Sequence, residues 1–507
     1  MADVQEPVAE QAPAAEDTSA TPQASKQDIN PWSVSGEVDQ DGKVKAIDYG
    51  RLTTDFGTTL INDALLERFE KVTGHKPHRF MRRQIVFSHR DLTAILDRYE
   101  KVRFYRGHDM ESLRLMLQQN EPFFLYTGRG PSSDSMHIGH TQVFDFVKWL
   151  QDVFDVPLIV MLTDDEKYLF SEKRTVEEVM GYSRTNAMDI IAIGFDPKKT
   201  FIFSDFEYVG GAFYRNIVRF AKRVTYNQAK AIFGFDGSSN IGKIHFASIQ
   251  GATSFATSFP HIFGEDESRT RSIPCLIPCA IDQDPYFRLT RDCATGLHYA
   301  KPSLIHMRFL DALQGPGSKM SASDETSAIF LKDTANQIKN KINKYAFSGG
   351  RETVEEHREK GGNADVDVAY QYLQFFLESD EELAQIKSDY NSGKLLTGEL
   401  KAICIKHMQA YVAGFQDRRG KVTDETVNEF MAPRPLEWSG NPKIPRTDLV
   451  VPVTLKTDGA STESGDGKMS KSQQKKLLKE QQIAQKKADK AKEKEKAAAS
   501  AQTAGEQ

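Results

Sequence analysis

Cysteine is scarce in this chain. Four in 507 residues cannot make a disulfide framework, and the usage fits a reducing compartment. Long apolar runs are missing too: no stretch approaches the ~18 consecutive apolar residues of a membrane-spanning helix, which points to a soluble protein. A surplus of either charge is also lacking. The chain has 66 Lys and Arg against 71 Asp and Glu, a net charge of -5, so any polyanionic partner must be met by a local basic patch. The N-terminus has no basic segment followed by an apolar run, and its acids argue against a mitochondrial transit peptide. Together these absences point to the cytosol. Repeats at periods of ~20 to 50 residues are absent, which excludes a solenoid. What is present is 39% hydrophobic residues, enough for a large core, with a mean hydropathy of -0.51 that implies surplus polar chain. At ~150 residues per domain the length predicts two or three domains.

The surplus lies at the ends. Residues 1–37 are rich in Ala, Pro, Gln and acids without apolar periodicity, and read as a disordered acidic tail. Residues 439–507 read as a linker and a Lys-rich tail; from Lys468 to Lys496 eleven lysines face four acids, a local charge of +7. Between them, short apolar runs alternate with amphipathic ones. FFLYTG, VPLIVMLTDD, TFIFSD, SIPCLIPCAID and PSLIHMRFL read as buried strands, separated by stretches of helical spacing. That alternation predicts a parallel α/β sheet. From Asp333 the strand signal ends, and TANQIKNKINKYAF, VDVAYQYLQFFLES and GELKAICIKHMQAYVAGFQDRRGKVTDETVNEFM read as helices.

Two loops carry chemistry. In TGRGPSSDSMHIGH, Thr127 to His140, a strand end, a Gly-rich turn and a helix start gather backbone N–H groups for an anion. His137 and His140, with Gly139 between them, can hydrogen-bond a phosphoryl oxygen as its charge grows. In GPGSKMSASD, Gly315 to Asp324, Lys319 on a loop of small residues can swing a point charge onto a polyphosphate. Either alone is weak, since a Gly-rich loop with surface histidines, or a solvated lysine, explains each. Together, in this order and 182 residues apart, they are sharp.

With these two signatures, HIGH and KMSAS, the chain resembles the class I aminoacyl-tRNA synthetases. The blocks YTGRGPSS, TDDEKY, TFIFSD, CAIDQDPYFRLTRD and VTDETVNEFM are similar to the cytosolic eukaryotic-type tryptophan–tRNA ligases among them, from about Asn62 to Arg434. A literal KMSKS also occurs at Lys468 to Ser472. It opens the low-complexity tail, where such strings arise cheaply, so Lys319 is taken as the catalytic lysine despite Ala322.

The resemblance implies the rest of the site. The fold is a Rossmann-like catalytic domain (120–332), preceded by an extension packed on it (38–119) and followed by a helical anticodon-binding domain (333–438). His137, His140 and Lys319 act on the phosphates. Thr127, Gly128, Arg129, Gly139, Lys167, Met320, Ser321 and Ser323 lie where ATP contacts are expected. Tyr126 takes the indole N–H, Glu166 the α-ammonium, Gln250 and Gln283 surround the amino-acid head, and Ile277, Ala280 and Phe287 form the apolar wall. Implied ligands are ATP with Mg2+, L-tryptophan and tRNA(Trp), and the implied assembly is a homodimer. One departure stands out: Met161 occupies a place where a Gln often assists Tyr126. Cys275, Cys279 and Cys293 lack a fourth ligand for zinc and read as core thiols, so no structural metal is expected. His357 receives no role.

Three other readings compete: a tyrosine–tRNA ligase with the same signatures, a small-molecule adenylyltransferase, and a catalytically dead RNA-binding relative. The last would be expected to have lost HIGH or KMSKS. The basic tail has two readings of its own, a solvated run or a lysine-lined helix on the tRNA backbone. In the second case, deleting everything after Val453 leaves amino-acid activation unchanged while weakening tRNA binding and flattening its salt slope. Identical affinities and slopes for full and truncated chains would leave only the solvated run.

Overall fold

The computed structural model describes residues 27–29, 34–36, 47–106, 123–318, 320–321 and 324–437. Lys319, Ala322 and Ser323, and with them the whole basic tail, lie outside the described residues. So does most of the 1–37 segment, but its described part is ordered into a small ladder, β1 (Asp28–Ile29) against β2 (Val34–Ser35).

The predicted apolar runs become strands because each has a face to bury on either side of one sheet. They are β5 (Phe124–Arg129), β6 (Leu158–Leu162), β7 (Thr200–Ser204), β8 (Cys275–Ala280) and β9 (Ser303–Met307). Successive side chains alternate between two cores: Leu125, Leu158 and Val160 enter one cluster, Phe124, Tyr126, Ile159 and Met161 the other. The five strands run parallel in the order β9-β8-β5-β6-β7. The sheet as a whole is mixed rather than parallel. Two strands that the sequence reading missed, β3 (Thr59–Leu60) and β4 (Val86–Arg90), extend it antiparallel beyond β9. The chain leaves β5 to one side toward β6 and β7, then crosses back to β8 on the other. The carboxyl ends of β5 and β8 therefore flank a crevice at the topological switch point, where open α/β sheets bind ligands.

After Asp333 the described chain is helical, as expected, through Ala335–Tyr345, Val354–Lys360, Val368–Phe376, Asp380–Asn391, Thr397–Arg419 and Asp424–Met431. The last stretch, read as one helix, breaks at Gly420, and Thr423 caps the new start by accepting from the Thr426 N–H at 3.3 Å. These helices share the larger core with the sheet: Ile338, Tyr372, Leu373 and Phe415 cluster with Val147 and Leu150. Polar ties fix the join. Gln416 donates to the carbonyls of Leu331 and Asp333 at 2.8 and 3.1 Å, and Arg419 meets Asp189 at 2.8 Å. His357 is accounted for here as a buried packing residue, on Tyr390 and 3.0 Å from the Leu395 carbonyl. No described helix is long and apolar enough to cross a membrane.

The candidate activation site at the sheet crevice

The end of β5 delivers Tyr126, Thr127, Gly128 and Arg129 to the crevice, and the loop that follows runs into the helix Ile138–Phe154 with His137 as its N-cap. The His137 N–H donates to Nδ1 of His140 at 3.3 Å, and the two rings stack with centroids 3.6 Å apart. An Nδ1 that accepts a hydrogen bond leaves Nε2 of His140 as the ring's donor.

The chain that follows the second signature is joined to the first. Ile138 N–H donates to the Ile329 carbonyl at 3.0 Å, Leu331 N–H to Met136 at 3.0 Å, and His137 pairs with Phe330 in a β-bridge. Met320 lies on Gly139 so closely that a Cβ there would sit 2.9 Å from the Met320 sulfur and 3.1 Å from the His137 ring. The Ser321 N–H donates to Ser327 Oγ at 3.0 Å, which braces this loop.

The short helix Asp164–Leu169 brings the charged pair. Its start is pinned by buried Asp164, which accepts from Ser183, Ser204 and the Phe206 N–H. Glu166 accepts from Thr163 at 2.8 Å and from Lys167 Nζ at 2.9 Å. Both hang over Gly130, which the sequence reading did not single out. A Cβ at Gly130 would overlap the Lys167 side chain and lie 2.9 Å from Glu166 Oε2. A Gly130→Ala chain is therefore expected to lose about 10- to 100-fold in kcat/KM for activation, the usual cost of an ångström-scale misplacement, with its melting temperature nearly unchanged. Steady-state kinetics beside a melting curve check this; a fully active variant would contradict the close approach.

Opposite, β8 ends in Ile277, Pro278, Cys279 and Ala280, and the turn Ile281–Gln283 leads into the helix Asp284–Leu297. The Phe287 ring meets Tyr126 edge to face at 5.8 Å, and Gln250 Nε2 lies 3.5 Å from Gln283 Oε1. That turn is held from the far edge of the sheet. Asp284 takes two bonds from Arg90 on β4, at 2.7 and 2.8 Å, and one contact from His306 at 3.1 Å, with Ser88 behind His306 at 3.0 Å. Burial would raise the Asp284 carboxyl, but these bonds hold it below its ordinary value. The Ser88–His306–Asp284 row resembles a nucleophile triad and is none, since all three are closed to solvent.

Together these elements line a cavity of about 380 Å³. It gathers the sequence-predicted residues His137, His140, Thr127, Gly128, Arg129, Gly139, Lys167, Met320, Tyr126, Glu166, Gln250, Ile277, Ala280, Gln283 and Phe287. Arg308, Asp282 and Tyr286 line it as well and were not foreseen. Arg129 donates to Asn186 at 3.1 Å through Nε while its buried Nη2 has no partner among the described residues, and burial lowers its pKa to about 10. A guanidinium with a spare donor suits an anionic ligand.

Two clusters test the metal question. Burial pushes the thiols of Cys275 and Cys279 up, and that of Cys293 up to about 11, and among the described residues the three do not gather into a metal-sized cluster. Asp164, Asp165 and Asp205 bring carboxylate oxygens within 4.8 Å of one another behind the site. Burial raises Asp165 to about 6 and Asp205 well above its ordinary value, with the neighbouring carboxylates adding to both rises.

A family profile described as tRNA synthetases class I (W and Y) matches residues 118–412. The cytoplasmic tryptophan–tRNA ligase of Schizosaccharomyces pombe is 58% identical over 82% of this chain and 99% of its own. That of Saccharomyces cerevisiae is 54% identical over 82% and 90%. Among solved structures, the tryptophanyl-tRNA synthetase of Plasmodium falciparum superposes with a TM-score of 0.68 at 44% identity, over 76% of this chain and 98% of that one.

Proposed function

The chain belongs to the class I tRNA synthetases of the W and Y family, and from that premise we propose that the crevice between β5 and β8 is where it activates its amino acid. The overall reaction is the ATP-dependent activation of L-tryptophan and its transfer to tRNA(Trp), in the cytoplasm, as in the relatives. The observation that carries the placement is Met320 seated on Gly139 at a cavity that also holds the Tyr126–Phe287 slot. Phosphate chemistry and an aromatic side chain thus have room side by side.

In this reading the indole lies against Phe287, Ile277 and Ala280 with its N–H on the Tyr126 oxygen. Glu166 exchanges Lys167 for the substrate ammonium, and Gln250 and Gln283 hold the head group. The tryptophan carboxylate is ionised at pH 7 and needs no general base to attack the α-phosphate, so the protein's task is positioning and charge stabilisation. Thr127, Gly128, Gly139 and Arg129 cradle the nucleotide. Lys167 Nζ, released from Glu166, His140 Nε2–H, His137 and Lys319 stabilise oxygens as pyrophosphate leaves. Mg2+ suits this site as a passenger on ATP: the described acids in the cavity wall are Glu166, already engaged, and Asp282, too few for a resident cage. In the second step a terminal 2′ hydroxyl of the tRNA attacks the adenylate. The helices after Asp333 read the anticodon, and two copies of the chain pair through apolar groups left exposed on the described surface, among them Tyr214 and Val218 on the helix Gly211–Ala221. Sedimentation equilibrium at twice the chain mass checks the pairing; a monomer contradicts it.

Charging of tRNA transcripts with labelled amino acids tests the function. Tryptophan is expected to be loaded onto tRNA(Trp), tyrosine not measurably, and an altered anticodon should depress charging. Equal loading with tyrosine would overturn the specificity.

A further inference from the structure

The Tyr126 hydroxyl has neighbours that its proposed role does not by itself require. Tyr126 on β5 is 2% exposed, and its hydroxyl donates to the Met161 sulfur of β6 at 3.3 Å. The hydroxyl of Thr253, the fully buried C-cap of the helix Ile241–Ala252, donates to the same sulfur at 3.1 Å. Thr253 also lies 3.5 Å from the Ile249 carbonyl one turn back, and it is near enough to the phenol to oppose the rise that burial imposes on it. Neither Met161 nor Thr253 lines the cavity.

A phenol has one proton and two lone pairs, a thioether only accepts, and an indole N–H only donates. A phenol that must accept from an indole has to send its own proton elsewhere. In this dry wall the sulfur of Met161 receives it. We propose that Thr253 is a positioning residue for amino-acid recognition: with Met161 it holds the Tyr126 hydroxyl so that its proton faces the sulfur and its lone pairs face the pocket. The substrate selected is then one whose ring edge brings a donor, as the indole N–H does, and a ring with no polar edge gains nothing from this arrangement. The inference rests on Tyr126 as the partner of the indole.

The test compares tryptophan with β-(benzo[b]thien-3-yl)-L-alanine, a near-isostere with sulfur in place of N–H, in ATP–pyrophosphate exchange by the full-length chain. Thr253→Val is expected to raise KM for tryptophan about five- to tenfold, the usual effect of losing one neutral hydrogen-bond constraint, with kcat little changed. KM for the benzothienyl analogue should stay within about twofold, and Thr253→Ser should restore the tryptophan value. Met161→Leu, which removes the acceptor and keeps the bulk, should reproduce the split and carries the test if Thr253→Val fails to fold. Equal rises for both substrates, or no rise, would overturn the role of Thr253. Tyr126→Phe separates the two levels: if that change fails to distinguish the substrates, the assignment of Tyr126 itself falls, whereas a split in Tyr126→Phe without one in Thr253→Val and Met161→Leu refutes the positioning pair alone.

Discussion

Replacing Lys319 with Ala should lower the rate of tryptophan activation by about 10² or more while tryptophan binding changes little. Charge develops on the transferring phosphate mainly in the transition state, and a positioned donor removed from such a centre typically costs ~10² to 10³ in rate. The described residues beside Lys319 favour its loop over the second one. Met320 packs on Gly139, and Ser321 is tied to Ser327, so the chain on one side of Lys319 is anchored at the histidines. Lys468→Ala, in the literal KMSKS of the tail, should leave exchange untouched. Single-turnover adenylate formation with each variant decides between them. A dead Lys468→Ala and an active Lys319→Ala would reverse the assignment.

Glu166→Gln is the second large effect. The carboxylate is 14% exposed at its side chain and is already held by Thr163 and Lys167, so its charge is pre-aimed into the cavity. An ammonium bound there loses a charge-assisted partner in a partly desolvated place, and such losses run to about 3 kcal/mol, or roughly 10² in affinity. Gln keeps the shape and one acceptor, which isolates the charge. The expected result is a rise of about 10² in KM for tryptophan with KM for ATP within a few-fold. If both rise together, Glu166 serves the nucleotide or the fold instead.

How much of this was legible in the residues depends on how far each feature reaches along the chain. The strands β5 to β9 were readable because each is a short run of apolar residues buried on both faces. β4 was not: VFSHR spends three of its five residues on polar groups, and Arg90, Ser88 and their partners Asp284 and His306 find each other only across the sheet. The break at Gly420 was hidden because apolar residues continue on both sides of it. Gly130 looked like one more flexible loop residue, whereas its importance lies in Lys167 and Glu166 passing over it. The histidines, Glu166 and the two glutamines could be placed because whole motifs carried them. The bonds joining Tyr126, Met161 and Thr253 span 35 and 92 positions and follow no periodicity, so only packing reveals them.

The most direct measurement is a crystal structure with a non-hydrolysable tryptophanyl-adenylate analogue. The account predicts the indole nitrogen within hydrogen-bonding distance of the Tyr126 hydroxyl, the ammonium at Glu166, and the phosphate mimic beside His140 and the Met320 loop. An analogue bound elsewhere, or lying in the crevice with its indole turned toward the histidines, would contradict it.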